Sequence, residues 1–393
     1  MRLLILARDI GHNAPGIVFE RLIFGLAGHH KIDVICGTLD SSIDWTDKGV
    51  KFIRIKYTRV NWRIRMFFIS AFGFNPFDYL WAWKVRKKAK TLQAGNYDVV
   101  ISLLYAAGAA VIIAGTDIAR DFGCRHMAHL VDAVPAPVGW LKNGPYYKGL
   151  KKIMARHLSK VDALCSTNEQ MLQYQLEVSG AGSRMVTGVL YNPYFGPRLE
   201  FPLPDAGPEV FVFTGGLYGP RTPRFVIEAF VRLLDEYPDA RLVFVGKTLP
   251  EGALEGIEEK KKANIEDQPY TRDLTPYYTA ATALLDIDAI IENDVFISSK
   301  VVNYINTNRI IISETGINSA ARKLFGGLQT VLQCNHDAGE ICEAMKKAIT
   351  MKRTAAYEER KDICELFRLE NVIGKMNGVL AKITGDCDTD EDQ

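Results

Sequence analysis

"EVFVFTGGLYGPRTPRFVIEAFVRLLDEYPDARLVFVG", residues 209–246, is the stretch from which the fold can be read. Its first part is a run of apolar and β-favouring residues that ends at the pair Gly215 and Gly216. After a proline-bearing turn, Phe225, Val226, Ala229, Phe230, Leu233 and Leu234 recur at helical spacing, and a second apolar run, "ARLVFVG", follows. A buried strand, an amphipathic helix and another buried strand make a parallel βαβ unit, because strands covered on both faces read as continuous apolar runs. Thr222 suits the N-cap and Pro223 the first helical position, which predicts a helix over 223–236.

The alternation continues outward from there. Downstream lie a short helix at 274–281, the strand "ALLDIDA", a helix at 300–307 and the strand "RIIIS". Upstream, the strands "RLLILA", "KIDVIC", "YDVVISLL", "CRHMAHLV", "DALCSTN" and "RMVTGVL" are interleaved with helical segments from Gly16, at 144–158 and at 169–178. Between the two runs, "YNPYFGPRLEFPLPDAGP" holds five prolines and continues neither element. A chain of 393 residues exceeds one ordinary core, so two Rossmann-like α/β domains in tandem are expected. Their bounds are 1–195 and 209–365, with a linker at 196–208. The last residues, "GDCDTDEDQ" (385–393), carry five acids and no base and read as a disordered tail.

Charge divides the chain. Residues 1–195 hold 25 Lys and Arg against 14 Asp and Glu, leaving 23 against 32 for the remainder, so the halves differ from +11 to −9. Within 51–90 stand eleven basic residues and one acid, Asp78, among Trp62, Phe67, Phe68, Phe72, Phe74, Phe77, Trp81 and Trp83. Arg63 and Arg65 beside Met66, Phe67, Phe68 and Ile69, with Lys84, Lys87 and Lys88, suit an anionic membrane surface where an acceptor would be presented. Solvated charge over a core face is the plainer alternative. No nucleic-acid-binding module accompanies the charge, and no nucleic-acid partner is expected. The opening "MRLLILARDIG" reads as a strand, and no apolar run reaches bilayer length, so the expected location is cytoplasmic, peripheral on a membrane's inner face. Seven scattered cysteines without CxxC suggest free thiols and no metal site.

Ligands of Rossmann-like domains bind at the carboxyl ends of the strands. "RDIGHNAPGIVFE" there lacks GxGxxG, which leaves dinucleotide binding unsupported. In the second domain, Arg221 stands before one helix start, Arg224 lies in its first turn, and Lys300 opens another after Ser298 and Ser299. Cations at helix N-termini oppose the helix dipole unless an anion joins them. Lys300, Asn303 and Thr307 should share one face of their helix, with Val301, Val302 and Ile305 inward. Asp286 and Asp288, in "DID", match a DxD metal motif superficially, but the tandem Rossmann pattern disfavours the fold that uses it. No GxSxG marks a hydrolase.

Together the glycine loop, "YPDARLVFVG", "YYTAATALLDIDA" and "FISSKVVNYINTNRIIIS" resemble the nucleotide-binding half of family 4 glycosyltransferases of the GT-B fold. There a lysine is followed three residues later by an acid and an aromatic, then by a short turn and an apolar strand. "GHNAPGIVFERLIFGLAG" resembles the family's glycine loop and first helix, and "MAHLVDAVPAP" its His-x-x-Asp strand end. The resemblance covers essentially the whole chain and is strongest over 211–313. It implies two domains facing each other across a cleft, with a C-terminal helix (366–384) packing back on the first. It also implies transfer of a sugar from a nucleotide-sugar to a glycan or lipid-linked saccharide, with retention and without metal or other cofactor.

Carried over by position, Arg221 takes the place of the family's diphosphate-binding lysine and Lys300 that of the Ser-Lys lysine. Gly16 would offer its N–H to the distal phosphate, Gly215 and Gly216 form the donor loop with Arg224, Ser298 and Ser299 close by, and His129 and Asp132 would line the sugar side. Asn303 stands where the family has an acid for the ribose hydroxyls. Gly216 stands where it has an arginine, and Val295 where many members have a glutamate. A nucleotide-sugar epimerase of the same fold and a non-catalytic nucleotide-binding relative are the alternatives.

Overall fold

The computed structural model describes all residues except 12, 42, 59, 93–96, 107, 181–184, 203–206, 247–248, 354, 356 and 386–393. The chain divides into two compact units, Met1–Phe195 with Phe367–Gln393, and Gly196–Leu366.

The first unit begins β1 (Arg2–Ile10), α1 (Ala14–Ala27), β2 (Lys31–Leu39) and β3 (Lys51–Arg54). It continues α2 (Trp62–Phe72), α3 (Pro76–Lys90), β4 (Val99–Leu104), α4 (Ala109–Phe122) and β5 (Arg125–Leu130). It then runs through α5 (Pro145–Leu158), β6 (Ala163–Ser166), α6 (Glu169–Ser179) and β7 (Val186–Val189). The sheet is parallel in the order β3-β2-β1-β4-β5-β6-β7. Central β1 is buried on both faces: Leu4 and Leu6 join one core, Leu3 and Ile5 the other. α1 starts where it does because Asn13 Oδ1 accepts from Gly16 N at 2.8 Å, with Pro15 in the first turn.

The second unit begins β8 (Val210–Thr214), α7 (Arg224–Leu233), β9 (Arg241–Val245), α8 (Glu259–Lys262) and β10 (Ile265–Gln268). After α9 (Thr275–Ala280) come β11 (Ala283–Ile287), α10 (Ser299–Ile305), β12 (Ile310–Glu314), α11 (Ala320–Leu324) and β13 (Val331–Cys334). α12 (Ala338–Met351) and α13 (Lys361–Phe367) follow, and α14 (Leu369–Thr384) closes the chain within the first unit. Its Ile373 packs so closely on α1 that a Cβ on Gly25 would stand 2.5 Å from Ile373 Cγ1. The second sheet is also parallel, in the order β10-β9-β8-β11-β12-β13.

Three expectations change. The segment at 196–208 is no free linker where described: Leu199 N donates to Asn306 O, Phe201 N to Asn308 Oδ1 (2.9 Å), and Arg309 Nη2 to Pro202 O (2.6 Å). Those three backbone groups are thereby bonded within the second unit, to which the segment belongs. The helix expected over 223–236 is Arg224–Leu233, with Thr222 Oγ1 accepting from Arg224 N at 3.3 Å. α10 ends at Ile305, so Thr307 lies beyond it, fully buried and donating to Tyr304 O. The acidic tail, apart from Gly385, lies outside the described residues.

Candidate functional site

In the second sheet the strand order reverses between β8 and β11, and the crevice beyond the carboxyl ends of such a strand pair is where open parallel sheets take ligands. β8 ends at Gly215, whose φ of +96° is a left-handed conformation that favours glycine. Its N–H donates to Val245 O at 2.9 Å. The loop turns through Gly219 and runs back beside β11, with Arg221 bridged to Ala289 and Ile290 N donating to Pro220 O at 3.2 Å.

That return brings Arg221 inside. Its Nη2 lies 3.3 Å from Asp288 Oδ1, and the two side chains are 6% and 1% exposed. The guanidinium also stacks over Tyr218, 5.2 Å from the ring centroid. Burial alone would lower the Arg221 pKa, but Asp288 outweighs it with help from Tyr218, Asp286 and Asp294, and the net shift is upward.

Lys300 arrives from the other side, in the first turn of α10. One turn on, at helical spacing i, i+4, the buried Tyr304 hydroxyl accepts from Thr214 N at 2.9 Å and sits 2.8 Å from Thr214 Oγ1. This pins α10 to the end of β8 and sets Lys300 Nζ 4.5 Å from the Phe213 ring centroid. A Cβ on Gly215 would stand 3.4 Å from Lys300 Cε, so the lysine stem lies directly against this glycine. Burial first, then Arg221, push the Lys300 pKa down to about 8, against the pull of Asp286 and Asp288.

The carboxylates complete the cluster. Asp286 on β11 accepts from Ser313 Oγ at 3.1 Å, while burial and then Asp288 push its pKa up to about 6. Beside it on β12, Glu314 bonds His336 Nδ1 at 2.8 Å, and burial raises it to about 7. Asp286 Oδ1, Asp288 Oδ2 and Glu314 Oε2 are buried without a hydrogen bond. The two cations therefore already face two carboxylates, which corrects the expectation that they stand at helix starts without counter-charge. Asp286 and Asp288, matched in sequence to a metal motif, are turned toward these cations. Among the described residues no group of three or more His, Cys, Asp or Glu side chains is disposed to hold a metal ion.

The other expected residues divide. Ser298, at the N-cap position of α10, is buried but makes no capping bond, Ser299 is exposed, and Asn303 is half-buried one turn after Lys300. Gly216 follows Gly215, and a Cβ there would meet only Tyr218 at 3.8 Å. Arg224 is not in the cluster: it is exposed and pairs with Glu228 at 2.8 Å along its own helix. In the first unit the Gly16 N–H is taken by Asn13 and is not free for a phosphate. His129 is fully buried in β5, and burial lowers its pKa to about 4, so it is a neutral core residue. Asp132 lies just past β5, its Oδ2 3.5 Å from Ala106 N.

Arg65 of the basic aromatic stretch is drawn inward to Asp78 at 3.6 Å. Arg63, Lys87 and Lys88 are exposed and Lys84 is half-buried. Sequence reasoning missed Tyr304, whose signal was its i+4 spacing from Lys300, and the role of Asp286 and Asp288 as counter-charges.

No protein-family model matches the sequence, and no curated protein matches it. Solved structures do. Anabaena HepE in complex with UDP and glucose superposes with a TM-score of 0.68 at 12% identity, covering 97% of this chain and 99% of that one. A glycosyltransferase from Rickettsia africae gives 0.69 at 12% identity over 97% and 98% of the two chains. WaaG, a glycosyltransferase involved in lipopolysaccharide biosynthesis, gives 0.63 at 12% identity over 98% and 100%. With two parallel Rossmann-like sheets and this likeness over nearly its full length, the chain has the GT-B glycosyltransferase fold.

Proposed function

We propose that this chain is a glycosyltransferase that binds a nucleoside diphosphate sugar at the Arg221 and Lys300 cluster. The carrying observation is that two cationic side chains, Arg221 from the loop after β8 and Lys300 from the first turn of α10, converge at the switch point of the second sheet beside Gly215. Convergent cations stabilise the charge that develops on a departing diphosphate. In the transfer, the bond from the sugar's anomeric carbon to the distal phosphate oxygen breaks and an acceptor hydroxyl oxygen bonds that carbon. The hydroxyl proton leaves with the diphosphate. Configuration is retained, and Arg221 and Lys300 take the charge-balancing part that a metal takes elsewhere.

Asp286 and Asp288 hold the cations in place when the site is empty. A diphosphate arriving beside them raises the local negative charge, and Asp286, already shifted upward by burial and by Asp288, is the group placed to take up a proton. The acceptor is a glycan or lipid-linked saccharide, in line with a structural neighbour named for lipopolysaccharide biosynthesis. The test is a panel of UDP-, GDP- and dTDP-sugars assayed for released nucleoside diphosphate. Release with at least one donor supports the reading. Conversion of the donor sugar without release would mark an epimerase, and binding without release a non-catalytic relative.

A further inference from the structure

We propose that α2 and the turn into α3 form a docking surface for an anionic lipid bilayer. α2 is amphipathic in the wrong direction for an ordinary surface helix. Its inner side is anchored by Ile69, the one buried residue of the helix, pressed so closely on α5 that a Cβ on Gly149 would stand 2.1 Å from Ile69 O. The opposite side, at helical spacing from Ile64 through Phe67 to Ala71, is apolar and faces solvent. Phe67 is 61% exposed, and Trp62 at the start and Phe72 at the end are 63% and 56% exposed. Rings in mutual contact carry this ridge around the turn: Phe67, Phe68, Phe72 and Phe74 lie with centroids 5.7 to 6.4 Å apart, and Phe68 reaches Phe77 of α3. Leu80 and Trp83 extend exposed apolar surface along α3. A soluble protein rarely exposes so much contiguous large apolar surface without a partner for it.

The charges around the ridge select the partner. Asp78 is the only acid in 51–90, and it is fully buried, accepting from Tyr57 and paired with Arg65. Arg86 and Lys90 are spent on Asp121 of α4, at 2.5 and 3.1 Å. Arg63 beside Trp62, Lys87 beside Trp83, and Lys88 stand outward beside the ridge. α5, the helix on which α2 packs, adds exposed Lys148, Lys151, Lys152 and Arg156, and residues 142–160 contain no acid. The Lys152 stem lies against the turn that ends α2, 3.2 Å from where a Gly73 Cβ would stand. An apolar aromatic ridge flanked by cations, on segments 51–90 and 142–160 whose single acid is buried, is complementary to acyl chains beneath anionic headgroups. A nucleic acid would use the cations but leave Ile64, Phe67 and Phe72 in water.

The inference stands on the first unit alone, and its test contains no nucleotide, so it fails or holds apart from the sugar-transfer reading. The full chain is floated with vesicles of phosphatidylcholine mixed with phosphatidylglycerol, and with pure phosphatidylcholine. Flotation with the anionic vesicles only is expected. Ile64→Ser with Phe67→Ser should weaken it at least about tenfold, and Lys87→Gln with Lys88→Gln roughly fivefold per cation removed. Both pairs are solvent-facing positions whose loss leaves the fold intact. As a second readout, tryptophan emission should shift to the blue on adding anionic vesicles, and Trp62→Phe should diminish the shift. Full flotation of the Ile64→Ser, Phe67→Ser variant would reduce the surface to electrostatic adsorption and overturn the proposal. So would equal flotation with both vesicle types, binding to duplex DNA without flotation, or a dimer abolished by Phe67→Ser in a chain that does not float.

Discussion

The first sheet buries neutral imidazoles and the second buries charges. His126 and His129 on β5 and His157 on α5 are held neutral by burial, their pKa values pushed down to about 3, 4 and 4. His126 spends its Nε2 on Ser102 Oγ at 2.9 Å. At the switch point of the second sheet, by contrast, Arg221 and Lys300 lie among Asp286 and Asp288, with Glu314 one strand away. Both regions are buried, yet at these histidines burial removes the charge while the second region keeps ionised groups, which costs several kcal/mol per ion unless the charges are paired. A fold gains little stability from such a cluster, so its retention at the strand ends points to a ligand. The buried histidines point to none.

The largest expected effect breaks the cluster's pairing. Asp288→Asn leaves a buried guanidinium without its carboxylate and should cost about 3 to 5 kcal/mol in denaturant unfolding. Arg221→Met with Asp288→Leu should restore most of that loss while nucleotide binding stays abolished. A cost within experimental error for the single variant would mean that Arg221 reaches solvent and that the two sheets do not differ as described.

The pH dependence separates the units next. The Glu314 pKa is raised in the fold, so this group stabilises as pH falls from about 7 toward its ordinary value. The histidines are lowered, so their stability is present above pH 6.5 and is lost as pH falls toward about 4. Glu314→Gln should therefore lose stability more steeply than wild type between pH 7 and 5, by on the order of 2 kcal/mol. Amide exchange in β12 reads this out. Parallel pH curves for the two proteins would refute the assignment.

Arg224→Ala should do least. Its exposed pair with Glu228 is worth under about 0.5 kcal/mol, and donor turnover should stay within about twofold of wild type. A tenfold loss would put Arg224 back at the donor.

The sequence showed the architecture where patterns were regular. Continuous apolar runs marked β1, β8, β9 and β11, and the fold follows from their alternation with helices. α4, "AAVIIAGTDIARDF", escaped because it is buried nearly all round and has no polar face to give it a period. α2 escaped for the opposite reason: its apolar side chains face outward. At the site, Arg221 and Lys300 were legible from their places at loop and helix starts. Their counter-charges were not, because Asp288 is 67 residues from Arg221 and only the strand order β8-β11 brings them together. Arg224 was misplaced because α7 opens at that residue, where i+4 pairing with Glu228 turns it outward.

The central claim is that the charged cluster of the second sheet is a diphosphate site, and calorimetric titration of the full chain with UDP, GDP and dTDP tests it most directly. Saturable binding of at least one is predicted, with Lys300→Ala weakening it at least about tenfold and leaving the thermal midpoint within a few degrees. Equal binding by wild type and Lys300→Ala, or no binding of any nucleoside diphosphate, would contradict the account.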